Sequence, residues 1–392
     1  MFFSFNDKSS LLFLFFVHGL IFFVLLLIKG LRDDHKPSLW LGMFTILSVL
    51  YIMPFMLGYA NWYSRNPYRD ILFYVPFQQL LILPPVIYFY LNSLLDRDFR
   101  FIKIHYLHFL PGLVYLIYSL VVFLVDQVIL QEYFFYEDGR DKDFLFEYQA
   151  AGFFSLLIYL VLSLRIYKKY QAVTFNSFSH ADSLSFRWAK HFLIALLVLV
   201  ILRGLFFILN PEWDAFGRKF WYYFLFGAVL YYVSMAGYMS SIRSLTALGG
   251  LDRLRDIGQD SELPASVEVP IETEVPLPDD LEFWKEKIEK LIVEERYFEN
   301  PELSVFDLAQ KLETYPKKIS QTINLAFEMN FNDYINQFRV KAVIDKIEHK
   351  KDLNLTLLGI ALECGFNSKS TFNRAFKRYT GANPKEYFGK KE

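Results

Sequence analysis

The chain has 392 residues, 54% of them hydrophobic and 19% aromatic, with 41 Lys and Arg against 42 Asp and Glu for a net charge of -1. Its mean hydropathy of +0.23 is too apolar for an ordinary soluble protein of this length and points to a membrane class. The single cysteine, Cys364, excludes an internal disulfide or a multi-thiolate metal site and is expected to be a packing residue.

The near-zero charge averages two unlike halves. Up to about Met239 the chain is dominated by Phe, Leu, Tyr, Val and Ile runs, and from about Ser241 it is charge-rich. No basic segment precedes the first apolar run and no small-residue cleavage pattern follows Ile28, so that run reads as a retained span rather than a signal peptide. A helix crossing the hydrocarbon core needs about 20 mostly apolar residues. Seven segments qualify: Leu11–Ile28, Leu39–Tyr59, Ile71–Leu94, Ile104–Val125, Ala150–Tyr167, Trp188–Leu209 and Phe220–Tyr238.

Basic residues in the connections orient these spans. The first, third and fifth connections, with the adjoining end of the fifth span, carry ten (Lys29, Arg32, Lys36; Arg97, Arg100, Lys103; Arg165, Lys168, Lys169, Arg187), and the second, fourth and sixth carry six, the fourth also being strongly acidic. The odd connections are therefore expected in the cytoplasm, with the N-terminus outside and the C-terminal tail inside, as for a multi-pass protein of a bacterial inner membrane.

His18, Gln78, Gln79 and Arg203 fall inside the spans. Polar groups at such depths face the bundle interior, where they would form either a ligand- or proton-sensing pocket or interhelical hydrogen bonds; Arg203 has the further option of snorkelling outward. Pro54, Pro84, Pro85 and Pro111 interrupt spans and are kink sites.

Between Ser241 and Asp280 the chain becomes acidic and proline-bearing. Leu245, Leu248, Leu251, Leu254 and Ile257 recur at three-residue steps, a pattern that would prolong the last span as an amphipathic or pairing helix, against which Gly249 and Gly250 weigh. The remainder reads as a flexible tether.

From Leu281 apolar residues return at helical spacing, as in a small all-helical domain. A first helix-turn-helix unit runs from Ser304 to Phe327: Ser304 and Asp307 mark a helix start, Phe306, Leu308, Ala309 and Leu312 its inward face, and Pro316 the first turn of the next helix. That second helix holds Ile319 and Ile323 to the core and presents Lys317, Lys318, Gln321 and Asn324. A second unit runs from Leu355 to Gly381, with Thr356 and Asn367 as caps, Gly365 in the turn and Gly381 at the end. Phe372, Ala375, Phe376 and Tyr379 form its buried stripe, leaving Lys369, Ser370, Asn373, Arg374 and Lys377 opposite. Arg and Lys donate to guanine edges or phosphates and Asn reads adenine, and the balance of +5 from Gly365 onward suits a phosphate-binding surface.

With these residues in place, the stretch from about Phe283 to Phe388 resembles the AraC/XylS-type DNA-binding domain. The likeness rests on Leu308-Ala309 and Pro316, on FNDYINQFRVKAVIDKI from Phe331 to Ile347 as connecting helix, and on Ile360-Ala361, Gly365-Phe366, Ser370, Phe372, Phe376-Lys377, Gly381, Pro384 and Tyr387. It implies two recognition helices entering successive major-groove segments, their separation set by the connecting helix. Two positions depart from the pattern: Glu313 stands for the usual turn glycine and Tyr315 for the usual capping serine. The apolar half resembles, in architecture alone, multi-span sensor regions fused to such domains in Bacteroidetes-like regulators.

The expected fold class is thus all-α, with a seven-helix transmembrane bundle (1–240), an acidic linker (241–280) and a DNA-binding domain (281–392). The expected partners are double-stranded DNA, the lipid bilayer and a signal ligand of unspecified chemistry. A homodimer is compatible with paired half-sites, which raise effective concentration. No cofactor is called for. No paired nucleophile and base, His-Glu-x-x-His cluster or phosphate-cradling glycine loop occurs, which argues against an enzyme. The alternatives are a membrane transporter, for which seven spans divide awkwardly into repeats, or an intramembrane enzyme, either with a regulatory DNA-binding tail.

Overall fold

Helices make up every regular element of the computed structural model, which describes residues 3–96, 99–181, 187–209, 219–258, 278–349 and 355–389. Among these, the single extended pairing is an isolated antiparallel bridge between Phe178 and Ser304. The chain divides into two compact units, Met1–Tyr167 with Arg187–Leu263, and Lys168–Phe186 with Pro264–Glu392.

In the first unit the helices are α1 (Asp7–Arg32), α2 (Lys36–Tyr59), α3 (Tyr68–Tyr74), α4 (Leu83–Leu95), α5 (Leu110–Phe123), α6 (Phe146–Ser177), α7 (Arg187–Leu209) and α8 (Phe220–Gly258). A 3-10 turn, Lys103–Phe109, leads into α5, and a π-helical stretch, Leu124–Leu130, extends it. At the start of α1, the Asn6 side chain accepts from Ser9 N and the Ser9 hydroxyl from Asn6 N, both at 2.9 Å, satisfying donors that a helix start leaves open. The centre is α2, which packs on α1, α4 and α8 and buries Leu41, Phe44, Tyr51, Ile52 and Phe55. By contrast α1 leaves Leu14, Ile21 and Ile28 exposed, and α5 does the same with Val114, Ile117 and Leu120, as suits helices solvated by hydrocarbon.

Among the described residues, six helices are long and apolar enough to cross a membrane: Asp7–Arg32, Lys36–Tyr59, Lys103–Leu130, Phe146–Ser177, Trp188–Phe206 and Phe220–Ser240. The predicted third span, Ile71–Leu94, is instead broken. Its chain forms the short α3 and α4, separated by a non-helical stretch from Val75 to Ile82. Pro76 contributes no backbone donor and restricts Val75, and Pro84 and Pro85 occupy the first turn of α4, where helices tolerate them.

Buried side chains satisfy the backbone freed by this break, as the low-dielectric interior demands. Gln78 N donates to Asp143 Oδ2 at 2.9 Å, the Tyr148 hydroxyl donates to Gln78 O at 2.5 Å, and Leu80 N donates to Tyr148 at 3.2 Å. The network continues through side chains. Gln149 Nε2 donates to Gln78 Oε1 at 2.7 Å, Gln78 Nε2 to the Tyr223 hydroxyl at 3.1 Å, and Arg203 Nη2 to Gln149 Oε1 at 2.8 Å. Arg203 is buried and does not snorkel. His18 shares a hydrogen bond of 2.9 Å with the Ser234 hydroxyl across α1 and α8, and the Gln79 side chain donates to Pro76 O. His18, Gln78 and Arg203 thus bond to other segments of the bundle, whereas Gln79 bonds within its own.

Past residue 240, α8 continues without a break to Gly258, as the three-residue leucine steps allow and despite Gly249 and Gly250. The tether expected after it, residues 259–277, lies outside the described residues.

The second unit holds α9 (Pro278–Val293), α10 (Val305–Lys311), α11 (Pro316–Phe327), α12 (Phe331–Glu348), α13 (Leu357–Glu363), α14 (Lys369–Thr380) and α15 (Pro384–Gly389). It has two cores. Ile288, Leu291, Leu308, Ile319, Ile323 and Tyr334 belong to the first, and Val343, Ile360, Cys364, Phe366, Phe372 and Phe376 to the second. Helix α12 serves both, its N-terminal half closing one and its C-terminal half the other. Cys364 is fully buried, which pushes its thiol up to about 11.

Candidate nucleic-acid interface

The first helix pair, α10 and α11, begins as its residues dictate. The Ser304 hydroxyl accepts from Asp307 N at 3.4 Å while the Asp307 carboxylate accepts from Ser304 N at 2.7 Å, a capping box. Val305, Leu308 and Ala309 face inward, but Phe306 does not: it is 52% exposed, a correction to the expected inward face. One position is enough to turn it out, because successive helical residues stand about 100° apart. In the turn, Glu313 adopts φ +49°, the left-handed conformation that glycine takes without strain. Pro316 opens α11, and Tyr315 before it makes no side-chain cap bond.

On α11, Ile319, Thr322 and Ile323 are buried. With about 3.6 residues per turn, Lys317, Gln321 and Asn324 gather opposite them, and Lys318 and Ser320 stand on the two flanks. Lys317 and Asn324 are exposed and Gln321 is half-buried. Lys318 turns aside: its ammonium pairs with Asp280 at 2.9 Å and lies 5.0 Å from the centre of the Trp284 ring on α9. The structure therefore brings Lys317, Gln321 and Asn324 together and holds Lys318 against α9.

The second pair, α13 and α14, follows the same plan. Thr356 caps α13 by accepting from Gly359 N at 3.1 Å, and Gly365 turns the chain at φ +92°. A Cβ there would also stand 2.5 Å from Phe298 O, so both conformation and space require glycine. The cap of α14 is Ser368, whose hydroxyl accepts from Thr371 N at 3.1 Å, and not Asn367 as expected; α14 starts at Lys369, which makes Ser368 the residue within reach of the open donors. Gly381 ends the helix at φ +80°.

Thr371, Phe372 and Phe376 are buried and Ala375 half-buried. Tyr379, expected with them, is 43% exposed because it lies on the last turn of α14, with the Lys341 ammonium 5.9 Å from its ring centre. Lys369, Ser370, Asn373, Arg374 and Lys377 are all exposed on one side of α14. Neighbouring Arg378 is drawn off to Asp333 at 2.6 Å. The Arg374 guanidinium lies below its ordinary value, through partial desolvation and then the positive charge of Arg378. Lys390 and Lys391 lie outside the described residues.

A set of buried polar residues on α12 escaped the sequence reading. Asn332, Asn336 and Arg339 are nearly inaccessible, and their partners come from two other segments. Arg339 Nε donates to Phe298 O at 2.7 Å, and its Nη2 to Asn300 O at 2.7 Å and to the Ser179 hydroxyl at 2.9 Å. Asn332 Nδ2 donates to Ser179 O at 2.8 Å. Burial lowers the Arg339 guanidinium to about 9, which leaves it cationic at neutral pH. The signal was available: three polar residues at i, i+4 and i+7 on a helix that otherwise supplies two cores are a stripe seeking partners.

Both helix pairs thus consist of a short capped helix, a tight turn and a second helix with an exposed polar face. Residues 308–390 match a protein-family model described as a helix-turn-helix domain. No curated protein and no solved structure matches the chain. The matched segment takes in α11 through α15 with most of α10 and both exposed polar stripes.

Proposed function

We propose that this chain is a membrane-bound, sequence-specific transcription regulator in which the apolar unit receives a membrane or extracytoplasmic signal and the second unit acts on DNA. The observation that carries this reading is the union, in one polypeptide, of six helices long and apolar enough to cross a membrane with a helix-turn-helix domain. On α14, Lys369, Ser370, Asn373, Arg374 and Lys377 contact the duplex, with Arg374 and Asn373 best suited to base edges and the lysines to phosphate. Lys317, Gln321 and Asn324 do the same from α11. Lys318 serves only after release from Asp280.

With the broken α3–α4 segment counted as a seventh crossing, the excess of basic residues in the odd-numbered connections supports an inner-membrane location with the N-terminus outside and the DNA-binding unit in the cytoplasm. Two copies on paired half-sites suit this geometry. The break between α3 and α4 is a feature that a transporter would share, but here buried side chains satisfy it.

The test is DNA binding by the full chain in lipid nanodiscs. Affinity for a selected duplex should fall steeply with salt and drop about ten-fold or more with Arg374→Ala. Absent or sequence-indifferent binding would overturn the reading. A reporter fused after Glu392 should be active only in the cytoplasm, and activity in the periplasm would overturn the topology.

A further inference from the structure

The segment Asn176–Ala181, which begins with the last two residues of α6 and continues past its end, is bonded into the first helix-turn-helix pair within the second unit. Ser179 N donates to Leu303 O at 2.9 Å, and Phe178 forms the antiparallel bridge with Ser304, the residue that caps α10. The Phe178 ring stands 6.3 Å from that of Phe306. Ser179, fully buried, accepts from Asn332 and Arg339. At its near end, Asn176 O accepts from the Ser320 hydroxyl of α11 at 3.3 Å.

The Ser320 bond lies on one flank of the recognition helix α11, and the other contacts lie at the start of α10 and on α12. A helix about 10–12 Å across fills a major groove about 12 Å wide, so the sugar-phosphate walls pass along both flanks of the inserted helix. The first helix of such a pair lies across the backbone. Ser320 is on the flank of α11, and Ser304 is at the start of α10, where that backbone would run. The second pair carries no such cover among the described residues.

We propose that residues 176–181 form an intramolecular latch that competes with duplex DNA for the flank of α11 and the start of α10, so that the first recognition helix reads DNA only when the latch is open. Because the latch is covalently continuous with α6, a movement of that helix is transmitted to it directly. Asn332, Asn336 and Arg339 are the receptor for the closed state, and in the open state water replaces the Ser179 partners. This inference rests on the DNA-binding reading above.

The test uses the full chain in nanodiscs with the substitutions Phe178→Cys and Ser304→Cys. Directly paired antiparallel residues have Cα atoms about 4.5–5.5 Å apart, within reach of a disulfide, and buried Cys364 is shielded from oxidation. The probe is the duplex selected for binding to the full chain, at one salt concentration. Oxidation should lower affinity by about ten-fold or more, and reduction of the same sample should restore it. Equal affinity in the two redox states would overturn the latch. Independently, Ser179→Leu, which is too large for the buried site and cannot accept from Arg339, should raise affinity over the unmodified chain, and no rise would count against the latch. Arg374→Ala separates the two readings: binding sensitive to Arg374 yet indifferent to oxidation rejects the latch alone, whereas no binding in any form rejects DNA recognition and the latch with it.

Discussion

Arg203 of α7 donates through Nη2 to both the side-chain oxygen of Gln149 at 2.8 Å and its backbone oxygen at 3.2 Å. Gln149 in turn donates to Gln78 and to Asp143 O, so one guanidinium stabilises the amide that secures the interrupted helix between α3 and α4. Arg203→Met removes both bonds and strands the Gln149 oxygen. Hydrogen bonds to charged groups are worth about 1.5–3 kcal/mol, and the first unit should melt on the order of 10 °C lower. Arg203→Lys should rescue little, since an ammonium lacks the planar fork. Thermal unfolding followed by tryptophan fluorescence in detergent checks this, and an unchanged melting point would reject it.

Asp143 lies in the connection before α6, fully enclosed, and burial pushes its carboxyl up to about 6 despite hydrogen bonds from Tyr115 and Gln78 N that favour the ionised form. Asp141 is raised as well, by burial and then by the neighbouring charge of Asp143. A carboxyl whose folded value is raised gives stability that is complete below its unfolded value near 4 and is lost as pH rises through the folded value. The first unit should therefore be more stable near pH 4 than at pH 7 with respect to this group. Asp143→Asn should flatten the difference between about pH 4 and 6. A melting curve against pH that is identical in the two proteins would refute the assignment.

The two turns of the helix pairs make opposite predictions. Glu313 holds φ +49° with a side chain, and Glu313→Gly should stabilise the second unit by about 1 kcal/mol by relieving left-handed strain. Gly365→Ala should destabilise it by several times that, roughly 3 kcal/mol or more, because a Cβ meets Phe298 O and Glu299 O. Hydrogen exchange of α12 amides in the full chain measures both. The same sign for the two substitutions would contradict the turn assignment.

Lys317 and Lys318 are adjacent in sequence but differently engaged. Lys317→Ala should weaken DNA binding across all sequences and lower the salt slope by about one. Lys318→Ala should change the slope less, because its ammonium is paired with Asp280. Equal slopes for the two variants would show that Lys318 leaves Asp280 on the duplex.

Much of this was legible in the chain itself. Run length identified six of the long apolar helices, because covering a hydrocarbon core is a property of composition. The helix pairs followed from local rules: Ser304 with Asp307, Pro316, Thr356, Gly365 and Gly381 act on neighbours within a few residues, and the structure keeps each where the spacing put it. The exceptions, Phe306, Asn367 and Tyr379, are each displaced by a single position or a single turn, the scale on which periodicity loses resolution.

Tertiary structure decided what depends on partners distant in sequence. Hydropathy alone reads Ile71–Leu94 as one span, and only Asp143, Tyr148 and Gln149, some 70 residues on, make the broken form stable by satisfying its backbone. Lys318 looks like its neighbour until Asp280 and Trp284 are folded beside it. Likewise Asn332, Asn336 and Arg339 are a polar stripe without evident purpose until Ser179 reaches them from the end of α6. The sequence by itself determined most of the long helices and the residues that start and end the helix pairs, because those arise from local sterics and solvation. The fold alone determined which polar groups are consumed internally and which remain for DNA, because hydrogen-bond partners are assigned by three-dimensional proximity.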